Sequence, residues 1–163
     1  MSKAFTKEDD GPEPLVVAPR PPLPPGVPNY VTARGLQLLR DERQALEAER
    51  ASALALTDEA RRSAMLAQNA ARLSELDQRL GSAELVLHEP GDVVRFGSRV
   101  TVEDAERRQR EYEIVGVDEA EPQSGRIAFS SPLARALLGA RAGDDVTFES
   151  PGRVQELSVV RVD

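Results

Sequence analysis

Hydrophobic positions along the chain follow two different periods, with a break near residue 90. Leu66, Leu73 and Leu80 repeat every seven residues, and Asn69, Leu76 and Ala83 each follow one of them by three. That a/d spacing lays one stripe along a helix and is the seam of a coiled coil. Asn69 stands in the stripe as a polar residue able to fix register. Upstream, helix-forming residues run without proline from Ala33 to about Ala55. Leu36, Leu39, Leu46 and Ala53 share one face there, interrupted by Arg43 and Arg50. Thr32 is the expected N-cap of this helix. Thr57 is that of the next, with Asp58 and Glu59 in its first turn, where negative charge suits the helix dipole. Two such helices joined by a short link form an antiparallel hairpin, each arm roughly 35–40 Å long at about 1.5 Å per residue.

Past Gly81, Pro90 and Gly91 the pattern alternates residue by residue. It predicts strands over 93–96, 100–102, 111–115, 126–129, 145–148 and 157–160. One short helix interrupts them, with Pro132 at its first position, Leu133 to Leu138 within it and Gly139 just past its end. Gly97, Gly116 and Gly125 read as bulges or turns. The fold class is α+β: an N-terminal antiparallel α-helical hairpin (coiled coil) over 29–88, and a C-terminal antiparallel β-sheet domain with one short helix over 89–163. Ahead of both, residues 1–28 hold eight of the twelve prolines. Pro21, Pro22, Pro24, Pro25 and Pro28 fix φ and remove donors, so a disordered Pro-rich tail is expected, with a Pro-rich partner motif as the other reading.

Charge narrows the choice of partner. The net charge is −7, distributed as −1 over 1–28, −1 over 29–88 and −5 over 89–163. A general nucleic-acid binder carries a basic stripe, so a basic protein surface is the better match for this C-terminal half. Cysteine and tryptophan are absent and aromatics are 4% of residues, which excludes disulfides, thiolate metal sites and broad stacking platforms. The first ten residues lack the apolar core of a secretory signal, and no apolar run nears the roughly 18–20 residues that span a bilayer. A cytoplasmic monomer without membrane association is expected. His88 is the only histidine and sits just before Pro90, so it does not suggest a metal site.

The residues of the C-terminal half carry a family resemblance. The stretches are Val94 to Val102 (VRFGSRVTV), Tyr112 to Glu121 (YEIVGVDEAE), Ile127 to Gly139 (IAFSSPLARALLG) and Gly143 to Val146 (GDDV). In order and spacing they resemble the Gre-type transcription elongation factors of bacterial RNA polymerase (GreA, GreB and relatives). Tyr30 to Leu36 and Ser82 to Glu84 are similar to that family's hairpin entry and exit. The resemblance implies a coiled coil followed by an FKBP-like domain. It implies that the domain docks on the β′ subunit at the rim of the polymerase secondary channel while the hairpin enters the channel. It places the polymerase-facing surface at Asp118, Glu119, Ala120, Glu121, Ser131, Pro132, Leu133 and Arg135. From composition alone, the acids equally make a solvated turn before Pro122, and Leu133, Leu137 and Leu138 make core.

The tip departs from the family pattern. Cleavage-active members carry Gly-Asp-Leu-x-Glu-Asn there, and their carboxylates help the polymerase hold a second Mg²⁺. Here the tip candidates are the adjacent Asp58 and Glu59, followed by Arg61 and Arg62. Adjacent helical residues diverge by about 100°, so the two acids serve helix N-terminal charge unless the turn is non-helical. Arg61 and Arg62 oppose a second cation and suit contacts to RNA or polymerase acids. The hairpin is also shorter than that of cleavage factors by roughly a dozen residues, or about 9 Å of reach. The expected function is therefore an RNA polymerase-binding regulator of transcription elongation that is not itself an enzyme and has no cofactor of its own. Polymerase-held Mg²⁺ enters only if the chain supports cleavage, and nucleic acid is met only indirectly, inside the elongation complex. The alternatives are an active transcript-cleavage factor using Asp58 and Glu59, or a regulator with a non-polymerase partner. A prolyl isomerase would need an aromatic-lined pocket from Phe96, Tyr112, Phe129 and Phe148, several of which alternation places in the core.

Overall fold

The computed structural model describes residues 20–163. Strand β1 (Asn29–Val31) leads into α1 (Ala33–Leu54), α2 (Glu59–Gly81) and β2 (Ala83–Leu85). The sheet domain follows as β3 (Arg99–Glu103), β4 (Gln109–Val115), β5 (Arg126–Ala128), α3 (Pro132–Leu137), β6 (Asp145–Ser150) and β7 (Arg153–Val162). Among the described residues no helix is long and apolar enough to cross a membrane.

The two helices are the predicted hairpin. At 22 and 23 residues each arm is roughly 33–35 Å long, slightly under expectation. Thr32 caps α1 as predicted, its hydroxyl accepting from the Gly35 amide. The cap of α2 is Asp58 and not Thr57: the Asp58 carboxylate accepts from the Arg61 amide, leaving Glu59 as the first helical residue. Val31, Leu39, Leu46 and Leu76 are buried together, with Leu36, Leu73, Leu80 and Ala83 half-buried around them. The flanks stay half-open because a two-helix seam has one partner, not three. Asn69 is buried in the seam, donating to the Leu46 carbonyl at 2.8 Å, while its own Oδ1 has no partner among the described residues. Arg43 does not merely interrupt the stripe. It reaches across the hairpin to Asp77 as well as along α1 to Glu47.

The sheet has the order β5-β4-β3-β7-β6. It is mixed, not purely antiparallel as expected, because β5 runs parallel to β4. Between them the chain crosses through 3₁₀ turns at Val117–Glu119 and Pro122–Ser124, which bring it back to the same end of the sheet. Residues 93–96 form no strand. The Val94 amide donates to the Ala140 carbonyl and the Gly139 amide to the Val94 carbonyl, so this stretch pairs with the exit of α3. A small parallel pair, β1 with β2, closes the base of the hairpin and has no counterpart in the predicted strands. The short helix is as predicted, capped by Ser131, begun by Pro132 and followed by Gly139 at φ +86°.

The domain core gathers Val94, Val100, Val102, Ile114, Ile127, Phe129, Leu137 and Val159. Of the predicted tail, residues 1–19 lie outside the described residues. Residues 20–28 form neither helix nor strand and are seated: Leu23 and Val27 pack against the domain core, and the Val27 amide closes a turn on Pro24.

Candidate functional site

Three places bear the residues singled out by sequence: the joint between hairpin and sheet, the edge around α3, and the hairpin tip. At the joint, Asp118 and Glu119 do not form a solvated turn. Their side chains are 7% and 1% exposed, and both face the hairpin base. Asp118 accepts from Arg20 at 2.8 Å and lies 3.3 Å from the Arg79 guanidinium of α2. Arg20 reaches on to Glu42 of α1 at 2.6 Å, and burial opposes its charge while the two carboxylates hold its pKa above the ordinary arginine value. Glu119 accepts from the Thr32 hydroxyl at 2.5 Å, with Arg34 3.9 Å away. Asn29 donates to the Arg79 carbonyl and to Ser82.

Two glycines at the joint are crowded, Gly116 by backbone and Gly35 by the buried Glu119 side chain. A Cβ on Gly116 would lie 2.6 Å from the Tyr30 carbonyl, and one on Gly35 would lie 2.7 Å from Glu119 Oε2. Gly116 is thus a close-approach residue and not the bulge or turn expected. Tyr30, Phe96 and Phe129 pack mutually with ring centroids 5.6–5.8 Å apart, bridging β1 to the domain core. These rings are therefore committed to the joint. Tyr112 and Phe148 instead line a cleft of ~380 Å³ at the far end of the sheet, together with Arg108, Arg110 and Arg153.

The remaining docking candidates lie on the surface. Glu121 is exposed and pairs with Arg126 and Ser124. Pro132 and Arg135 are exposed, while Ala120, Ser131 and Leu133 are half-buried. Ser131 spends its hydroxyl on the Ala134 amide as the α3 cap. The helical period, with its i, i+3 spacing, buries Ala134 and Leu137, so the leucine assigned to core in full is Leu137, whereas Leu138 is exposed.

At the tip, Thr57, Asp58, Glu59 and Arg61 are exposed. Asp58 is engaged as the cap of α2, and Arg62 donates to the Leu56 carbonyl at 3.0 Å, tying down the turn. Leu54 and Met65 stand exposed beside it. Among the described residues, no three His, Cys, Asp or Glu side chains come together as a metal site, and His88 lies against Gly97.

Sequence reasoning missed Arg20, Glu42 and Arg79. A signal was present for Arg79: it follows Leu76 by three, on the buried side of α2, and a buried arginine requires a carboxylate. No signal marked Arg20, because a proline-rich stretch reveals nothing of what it lies against.

Known proteins resemble this chain over most of its length. The family profile described as "Transcription elongation factor, GreA/GreB, C-term" matches residues 89–163. The transcription elongation factor GreA of Neisseria meningitidis serogroup A is 36% identical over 151 residues, covering 81% of this chain and 95% of that protein. GreA of Methylococcus capsulatus is 35% identical over 150 residues, with the same 81% and 95% coverage. Among solved structures, the GreA factor homolog 1 protein of Thermus thermophilus aligns with a TM-score of 0.41 at 24% identity, over 84% of this chain and 99% of that one. The chain belongs to the GreA/GreB family of transcription elongation factors.

Proposed function

We propose that this protein regulates transcription elongation by docking on bacterial RNA polymerase. The sheet domain binds the β′ subunit at the rim of the secondary channel, and the hairpin enters the channel without promoting transcript cleavage. The docking surface in this reading is the exposed edge formed by Glu121, Pro132 and Arg135 with the half-buried Ala120, Ser131 and Leu133. Asp118 and Glu119 act behind it by holding the hairpin base. The protein works as a cytoplasmic monomer and brings no cofactor.

The observation that carries the regulatory reading is the state of the tip. Asp58 is engaged in capping α2, and Glu59 is the adjacent first residue of the helix. Arg61 and Arg62 follow within one turn and disfavour an added Mg²⁺. In this reading they contact RNA or acidic polymerase residues inside the channel.

Two measurements test it. Core polymerase should retain the protein in a pull-down, and Pro132→Ala with Arg135→Glu should weaken retention. Backtracked elongation complexes incubated with the protein should release no more short RNA than complexes alone. Release that disappears in Asp58→Asn with Glu59→Gln would replace this reading with that of a cleavage factor using polymerase-held Mg²⁺. Lack of any association with polymerase would point to a different partner.

A further inference from the structure

The hairpin is joined to the sheet domain by a single covalent crossing, residues 86–98. Its middle is exposed at Leu87 (70%) and around it through Asp92. One exposed crossing leaves the angle of the finger to be set by non-covalent contacts. The chain ahead of β1 supplies a set of them that the hairpin and sheet alone lack. Leu23 and Val27 lie on the domain core, and the Pro21 carbonyl accepts from Arg79 of α2 at 2.5 Å. Arg20 donates through one nitrogen to Asp118 on the sheet side and through the other to Glu42 on α1.

We infer that residues 20–28 are a latch that fixes the direction of the finger relative to the sheet domain, with Arg20 as its positioning residue. The guanidinium suits this task because its two terminal nitrogens address carboxylates on different bodies, which a single ammonium cannot do in the same geometry. Charge is balanced at the latch, with Arg20 and Arg79 facing Asp118 and Glu42. Without Arg20, Asp118 retains, among the described residues, only Arg79, whose 3.3 Å contact has no hydrogen-bond geometry. Glu42, 37% exposed, is then free to turn to water and release α1.

The chain contains no cysteine, so paired spin labels can be placed cleanly at Thr57→Cys on the tip and Val160→Cys on the exposed face of β7. Distances are measured in the free 163-residue protein, so the outcome is independent of polymerase binding. The expected result is one narrow tip-to-sheet distance whose distribution broadens in Arg20→Ala and is only partly restored in Arg20→Lys. Circular dichroism checks that helix content is kept. If Arg20→Ala loses helix, Glu42→Ala decides instead, since it removes the acceptor of the hairpin arm of the latch while keeping a strong helix former in α1, and should also broaden the distribution. A distribution for the deciding variant that superimposes on the parent overturns the latch.

Discussion

The hydroxyl of Thr32 donates to Glu119 Oε2 at 2.5 Å and accepts from the Gly35 amide at 2.9 Å. One oxygen thus caps the first helix of the finger and ties it to a buried carboxylate of the sheet domain. Thr32→Val keeps the shape and removes both bonds, leaving an orphaned helix amide and a buried carboxylate short of its donor. The expected loss is about 1–3 kcal/mol of stability, read as a lower urea midpoint. Thr32→Ser should restore most of it.

Gly35→Ala tests the same contact from the other side. In an exposed helix the change would stabilise by about 1 kcal/mol. Here the new Cβ would meet Glu119 Oε2 at 2.7 Å, so the thermal midpoint should fall. Glu119→Ala opens the space, and a double-mutant cycle should show that Gly35→Ala is less harmful in that background.

Asn69 sits in the hairpin seam with only its amide nitrogen bonded, to Leu46, and its Oδ1 unpartnered among the described residues. A polar residue at such a position defines register at a cost in stability. Asn69→Leu should raise the thermal midpoint. A lowered midpoint would mean that the bond to Leu46 outweighs the orphaned oxygen.

Asp58 separates capping from charge. Asn caps as well as Asp, so Asp58→Asn should leave the stability of α2 nearly unchanged, whereas Asp58→Ala should cost about 1 kcal/mol. Hydrogen exchange at the Arg61 and Arg62 amides reports the difference locally.

Acid should loosen the turn between β3 and β4. Hydrogen bonds from Arg107 and Gln109 hold the Glu103 carboxyl below its ordinary pKa, and backbone and side-chain bonds from Arg108 do the same for Asp104. A carboxylate depressed in the folded state adds stability that is complete above its unfolded pKa and is lost as pH falls through the folded one. Exchange at the Glu106 and Arg108 amides, corrected for intrinsic rate, should therefore accelerate only below about pH 4. The carboxyl resonances of both residues should titrate below the usual range.

The hairpin was legible because its signal is local: a seven-residue repeat and a capping threonine act within a few turns of one helix. The same holds for α3, where Ser131, Pro132 and Gly139 mark start and stop by backbone preference alone. The strand at 93–96 failed because its apolar residues answer to the exit of α3, some 45 residues on. The parallel seat of β5 likewise depends on the crossover and not on its own residues.

At the candidate site the division is sharper. The amino-acid pattern determined that there is a two-helix finger, an acidic sheet domain and a tip with only two adjacent acids. Tertiary structure alone decided that Asp118 and Glu119 face inward, that Asp58 is engaged as a cap, and that Arg20 spans the joint. Periodicity reports which side of an element is apolar. The partner of a charge, though, is chosen by where the folded chain brings the opposite charge, here 98 positions away between Arg20 and Asp118.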